Sequence, residues 1–164
     1  MTVIRPIEEA DWDAVWSVIE PVFRAGETYA YAPDITQEEA HRNWVALPDA
    51  TFVVEDEDGV LLGTYYIKAN QPGQGAHVCN CGYIVADAAR GRGIATEMCM
   101  HSQTVARSLG FQAMQYNLVV ASNEGAVRLW QSLGFDIVGT LPGAFDHPKL
   151  GMVDAHVMFK KLAD

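Results

Sequence analysis

Residues 76–120 constrain the fold more than any other part of the chain. A β-rich run over 76–85 gives way to a turn over 87–93, after which Ile94, Met98, His101, Val105 and Leu109 recur at helical spacing until Gly110. A nearly unbroken apolar run over 114–120 follows, the pattern of a strand covered on both faces. Strand, helix and strand in succession imply a right-handed crossover between two parallel strands.

The flanking segments add to this unit. Residues 2–6 read as a short strand, and Trp12, Val15, Trp16, Ile19, Val22 and Phe23 mark an amphipathic helix that Gly26 ends. Thr36 with Glu39 forms a capping-box pattern, predicting a helix over 37–47 stopped by Pro48. Strands over 51–55 and 60–69 flank Asp56-Glu57-Asp58-Gly59, whose Asp-Gly step signals a hairpin. Asn123 is placed to cap a helix running to about Leu133, with Ala126, Leu129, Trp130 and Leu133 as its buried stripe and Gly134 as its stop. Strands over 136–141 and 154–162 complete the set, leaving 142–152 as a long late loop of the kind that carries specificity. At 164 residues the chain predicts one α/β domain over 1–164 and one site.

Charge narrows the partners. A formal charge of −10 argues against general nucleic-acid binding, which draws its affinity from Lys and Arg on phosphates. No apolar run is long enough to span a bilayer and the N-terminus carries no signal pattern, so no membrane partner is expected and a cytoplasmic location is. Cys79, Cys81 and Cys99 lack disulfide-framework spacing and read as reduced, buried thiols. Without a second ligand pair beside Cys79 and Cys81, no metal is expected.

The chemistry concentrates in Arg90-Gly91-Arg92-Gly93-Ile94-Ala95-Thr96, where a strand meets a helix. The backbone N–H groups of a first helical turn have no partners within the helix and can grip phosphate oxygens. Gly91 and Gly93 remove Cβ obstruction, and Arg90 and Arg92 supply local positive charge. The turn lacks the Lys-Ser/Thr ending of a triphosphate loop and the third glycine of a dinucleotide loop. Its Arg-x-x-Gly-x-Ala spacing resembles the pyrophosphate loop of the GCN5-related N-acetyltransferases. The segment from Asn123 to Phe135 is similar to that family's later Asn-x-x-Ala-x-x-Leu-Tyr-x-x-x-Gly-Phe pattern, and the order of elements fits over essentially the whole chain.

The resemblance implies the family's fold, a mixed, mostly antiparallel sheet of about six to seven strands with a central splayed parallel pair and about four helices. It implies acetyl-coenzyme A as cosubstrate, with pantetheine on backbone groups near Ile84 and Val85, pyrophosphate on the amides from Arg92 to Thr96, and Asn123 close by. An amine would attack the thioester directly, with a strand N–H near Tyr83 or Ile84 steadying the oxyanion. Two departures stand out. Trp130 occupies the place where many members carry a tyrosine acid, and indole has no useful acidity. The strand at 76–85 holds no carboxylate, leaving Glu27 as candidate base, directly or through water; an ordinary surface carboxylate would look the same. His77, a lone histidine at a strand start, reads as structural.

A narrower similarity, carried by His77-Val78-Cys79-Asn80-Cys81-Gly82-Tyr83 and Asn117-Leu118-Val119-Val120-Ala121-Ser122-Asn123, is to fungal acetyltransferases that act on proline analogues such as azetidine-2-carboxylate. It implies that Asn80 and Asn117 contact the acceptor, Asn80 close to the chemistry, with Tyr83 as a wall. Tyr29 and His147 are further candidates for the acceptor pocket. The expected acceptor is a small amine, an amino acid or its analogue. Acetylation of a protein N-terminus or lysine, or a coenzyme-binding sensor without turnover, are the alternatives. Domains this small often pair, so a homodimer is among the expectations.

Overall fold

The computed structural model describes residues 1–163. In chain order the elements are β1 (Val3–Pro6), α1 (Trp12–Ala25), α2 (Gln37–His41), β2 (Ala50–Glu55), β3 (Leu61–Ala69), β4 (Val78–Val85), α3 (Ile94–Ser108), β5 (Ala113–Val120), α4 (Glu124–Ser132), β6 (Asp136–His147) and β7 (Gly151–Lys161). The strands form one seven-stranded sheet in the order β1-β2-β3-β4-β5-β7-β6. All neighbours are antiparallel except β4 and β5, which run parallel.

Local chemistry explains most boundaries. α1 ends at Gly26, whose φ of 63° is open to glycine at little steric cost. Both bonds of the Thr36–Glu39 capping box are present at the start of α2. The predicted helix over 37–47 does form, but its second half, Arg42–Ala46, widens into a π-turn. The Asp56 carboxylate accepts the N–H groups of Asp58 and Val60, folding the Asp-Gly turn between β2 and β3.

The late loop expected over 142–152 is instead mostly strand. β6 and β7 run on to a turn at His147–Gly151, and Pro142 and Gly143 sit within a register shift between Leu141 and Phe145. A proline and glycines in a ladder read as a loop in sequence, whereas here they mark a bulge. The Asp154 side chain accepts the Gly143 N–H and satisfies the irregular backbone.

A core lies on each face of the sheet. On one, α1, α2 and the π-turn pack Val15, Ile19, Phe23, Ala40 and Trp44 against Val53, Tyr66 and Ile84. On the other, α3 packs Ile94, Met98, Cys99 and Ala106 against Tyr65, Ile67, Cys79, Cys81 and Met114. The three thiols are free and buried. The expected stripe of α4 is only half-buried, because its inner face borders a cleft rather than closed core.

Among the described residues, no helix is long and apolar enough to cross a membrane. The same residues hold no cluster of metal-ligating side chains.

Candidate active site

The site begins where β4 and β5 part. Their parallel ladder holds only at Val78 with Ala113 and Cys79 with Met114, after which the strands separate. Alternation decides which backbone groups face the opening. Val78 accepts from Asn70 and Ala86 donates to Leu62, so even-numbered β4 residues turn their N–H and C=O toward β3. The His77 carbonyl accepts from Gln112 on the β5 side, so the odd-numbered Cys81, Tyr83 and Val85 present theirs to the gap. Of the two residues expected to meet pantetheine, Val85 therefore offers its backbone. Ile84 turns its backbone to β3 and contributes a buried side chain to the cavity wall.

A cavity of about 890 Å³ fills the gap and extends to both sides of the sheet. Tyr29, Tyr31, Tyr66 and Asn80 line it on the α1–α2 side, and Tyr116, Ala126, Leu129 and Trp130 on the α3–α4 side. It also runs to the glycine turn, touching Arg90, Gly91, Gly93, Ile94, Ala95 and Thr96, and to Asn123. Two molecules approaching from opposite faces could thus meet between the strands.

At the turn, Gly91 and Gly93 have φ of 76° and 78°, and nothing lies within 4 Å of where a Cβ would stand. The first bond of α3 runs from Glu97 N–H to the Gly93 carbonyl, leaving the amides of Ile94, Ala95 and Thr96 without helical partners. Arg90 lies 3.4 Å from Asp87 in an exposed pair. Arg92 is exposed and outside the cavity lining. Asn123 occupies the cap position of α4 but makes no side-chain cap bond, so its amide is left to the cleft.

The acceptor-side candidates separate by face. Asn80 and Asn117 line the same cavity. Asn117 is engaged, donating to Asn70 Oδ1 at 2.6 Å and accepting from Gln115 Nε2 at 3.0 Å. The half-buried Asn80 amide has no hydrogen-bond partner among the described residues and opens into the cavity. Tyr29 closes this side, its phenol donating to the Tyr83 carbonyl at 2.9 Å. Tyr66, which sequence reasoning missed, lies across Gly82, where a Cβ would come within 2.4 Å of its ring. Only the cross-strand register, Tyr66 opposite Gly82, reveals that match.

Tyr83 was expected to form a wall beside Asn80; it lines the same cavity, but its side chain belongs to the opposite face, with Cys79 and Cys81. Its phenol joins a buried chain whose proton directions can be assigned. Ser102 Oγ donates to the Cys99 carbonyl at 2.7 Å, so it accepts from Tyr83 at 2.7 Å, which in turn accepts from Tyr116 at 2.9 Å. Burial pushes both phenols well above their ordinary pKa. Each phenolic proton is committed within the core. The Trp130 ring packs on the pair, with centroids 5.1 Å from Tyr83 and 5.2 Å from Tyr116.

The candidate base is displaced too. Glu27 pairs with Lys149 at 3.0 Å, and that ammonium holds its carboxyl below the usual range. It lines a second cavity of about 770 Å³, together with His147 and Arg90, outside the chamber holding Asn80. His147 accepts the N–H groups of Lys149 and Leu150 on Nδ1, so the neutral ring carries its proton on Nε2 as a donor. His77 is exposed and outside both cavities. Among the described residues, those lining the main cavity include no carboxylate and no histidine.

This fold and cleft have known counterparts. The model of the Acetyltransferase (GNAT) family matches residues 12–135, so the chain belongs to that family. The N-acetyltransferase aca1 of Schizosaccharomyces pombe is 36% identical over 97 residues, 59% of this chain and 46% of that protein. The match thus spans less than half the length of that relative. A GCN5-related N-acetyltransferase from Kribbella flavida superimposes with a TM-score of 0.93 at 44% identity, covering 98% of this chain and 97% of the other. The Salmonella typhimurium protein yncA, solved with its cofactor acetyl-CoA, shares the fold at a TM-score of 0.84 and 20% identity, over 100% and 95% of the two chains.

Proposed function

We propose that this enzyme acetylates the amine of a small molecule, an amino acid or a proline analogue. The observation that carries the reading is the free Asn80 amide, which opens with Asn117 and the Tyr29, Tyr31 and Tyr66 rings into the cavity reached from the other side by the glycine turn. The amide atoms are reached by solvent, so an acceptor's polar group can replace water on them. The similarity to aca1 supports an amine acceptor.

The donor enters from the α3–α4 side. Amides of Ile94 to Thr96 hold the pyrophosphate, helped by Arg90 and by the dipole of α3, with Arg92 adding field rather than contact. Pantetheine lies along the gap against the open backbone groups of Val85 and the N–H of Tyr83, whose carbonyl is taken by Tyr29, like an added strand. Asn123 borders it. The neutral amine attacks the thioester carbon, and the Tyr83 N–H, facing the gap, steadies the oxyanion. The C–S bond then breaks. The nitrogen gives up one proton and the coenzyme sulfur takes one up, both through water, because no side chain in the chamber is suited to either transfer.

Thiol release from acetyl-coenzyme A over a panel of small amines, amino acids and peptides tests this. Release with proline analogues and other amino acids, and little with peptides, is expected. Turnover confined to peptide N-termini or lysines would overturn the small-amine acceptor.

A further inference from the structure

Lys68 stands directly opposite Asn80 in the β3–β4 register. Residues so paired lie side by side on one face of the sheet, here the face that carries Tyr66 and the acceptor chamber. The Lys68 ammonium sits 5.3 Å from the centroid of the Tyr66 ring, and Tyr66 lines that chamber. It therefore leans along the strand toward the Tyr66–Gly82 pair, beside the chamber rather than among the residues that line it. Among the described residues it forms no ion pair. The carboxylate near it in sequence register, Asp49, is engaged by the Ala69 N–H at 2.9 Å.

In a chain of formal charge −10, an unpaired cation beside the acceptor chamber, paired in register with the Asn80 that lines it, needs an explanation. We propose that Lys68 and Asn80 form a carboxylate subsite, so that the acceptor is selected as an amine bearing its own carboxylate rather than as a plain amine. This rests on the small-amine reading above and narrows it. The ammonium supplies the charge and the Asn80 amide a directional N–H. Tyr66 keeps the ammonium in place by cation–π attraction and partly dehydrates it, which strengthens its pull on an anion. The amine end of a compact amino acid then points toward the open backbone of Cys81 and Tyr83, where the thioester arrives.

The test compares paired acceptors with and without the carboxylate: azetidine-2-carboxylate against azetidine, and proline against pyrrolidine. With the wild-type enzyme the carboxylated member should have the lower KM. Lys68→Met, which keeps the aliphatic packing on Tyr66, should raise the KM of the carboxylated acceptors by about tenfold or more, the scale of a charge-assisted bond. It should leave the KM of the plain amines and of acetyl-coenzyme A unchanged. Lys68→Arg should retain most of the preference. An equal effect on both members of a pair, or none on the carboxylated one, would overturn the subsite.

Calorimetric titration of the coenzyme A-bound protein with the same pairs supplies a readout independent of turnover. Tighter binding of the carboxylated members, lost in Lys68→Met, supports the subsite even if another acceptor proves to be the substrate. No preference in the wild type overturns it while leaving acetylation of other small amines intact.

Discussion

The phenol of Tyr29 donates a hydrogen bond to the main-chain carbonyl of Tyr83 at 2.9 Å, tying the loop after α1 to the open edge of β4. Tyr29 is thus fixed at the point where the strands part, and burial pushes its pKa far above that of a free phenol, so it stays neutral. Tyr29→Phe keeps the ring stacking with Tyr31 but releases the strand edge. A loss of about 1 kcal/mol in stability is expected, near 2–4 °C in Tm for a domain of this size. The acceptor KM should rise severalfold while the coenzyme KM stays put. Differential scanning calorimetry and two-substrate kinetics on the variant check both halves.

Two glycines separate donor from acceptor. Gly93→Val places a branched side chain at a φ of 78° and projects it into the space left for phosphate. Coenzyme binding should weaken by about a hundredfold or more, with destabilisation of only about 1–2 kcal/mol because no protein atom is in the way. Gly82→Ala collides with the Tyr66 ring at 2.4 Å and must displace it. That variant should keep coenzyme affinity within about threefold and lose acceptor affinity. Calorimetric titration with coenzyme A distinguishes the two, and equal loss of coenzyme affinity in both would refute the assignment of faces.

The pH dependence follows from the chamber's lining, which among the described residues holds no carboxylate or histidine. With no base beside the amine, log kcat/KM should climb with unit slope toward the acceptor's own amine pKa, and acceptors of lower pKa should reach their plateau earlier. Glu27→Gln should leave that profile unchanged, whereas loss of a working general base would cost about a hundredfold. Its effect on stability has a fixed sign. The hydrogen bond and charge of Lys149 hold the Glu27 carboxyl below the ordinary carboxylate range, so the pair stabilises the fold above that range and the contribution fades as pH falls through the folded pKa. Wild type and Glu27→Gln should therefore converge in Tm at strongly acid pH. Initial rates across pH for two amines of different basicity, with melting curves over the acid range, provide the check.

Much of this architecture was legible because it rests on local chemistry. The Asp56–Gly59 turn and the Thr36–Glu39 box each satisfy backbone groups within a few residues, and the glycine turn before α3 sets its free amides by the positive φ of Gly91 and Gly93. The errors came where register or face mattered. Asn80 and Tyr83 are three apart on a strand and must point to opposite faces; that period was readable, and the family pattern concealed it. Glu27 meets Lys149 only because β6 and β7 continue as a long hairpin, which Pro142 and Gly143 disguised as a loop. Lys68 and Tyr66 gain their places from pairing with Asn80 and Gly82, and no spacing within one strand carries that information.

The remaining question is whether the two core phenols nearest Trp130 take part in proton transfer. The donor directions assign every proton in the chain from Tyr116 through Tyr83 to Ser102, and Cys99 and Gln103 continue it to Lys160 at 2.8 Å. Tyr83→Phe leaves Ser102 without its donor and Tyr116 without its acceptor, so about 1–3 kcal/mol of stability should be lost. Because neither phenol has a proton to spare for the coenzyme sulfur, kcat should remain within about threefold of wild type, under 1 kcal/mol in barrier. Urea unfolding and single-turnover kinetics on the same preparation separate the two effects. A fall of a hundredfold in the chemical step without matching loss of stability would instead make Tyr83 the acid that Trp130 cannot be.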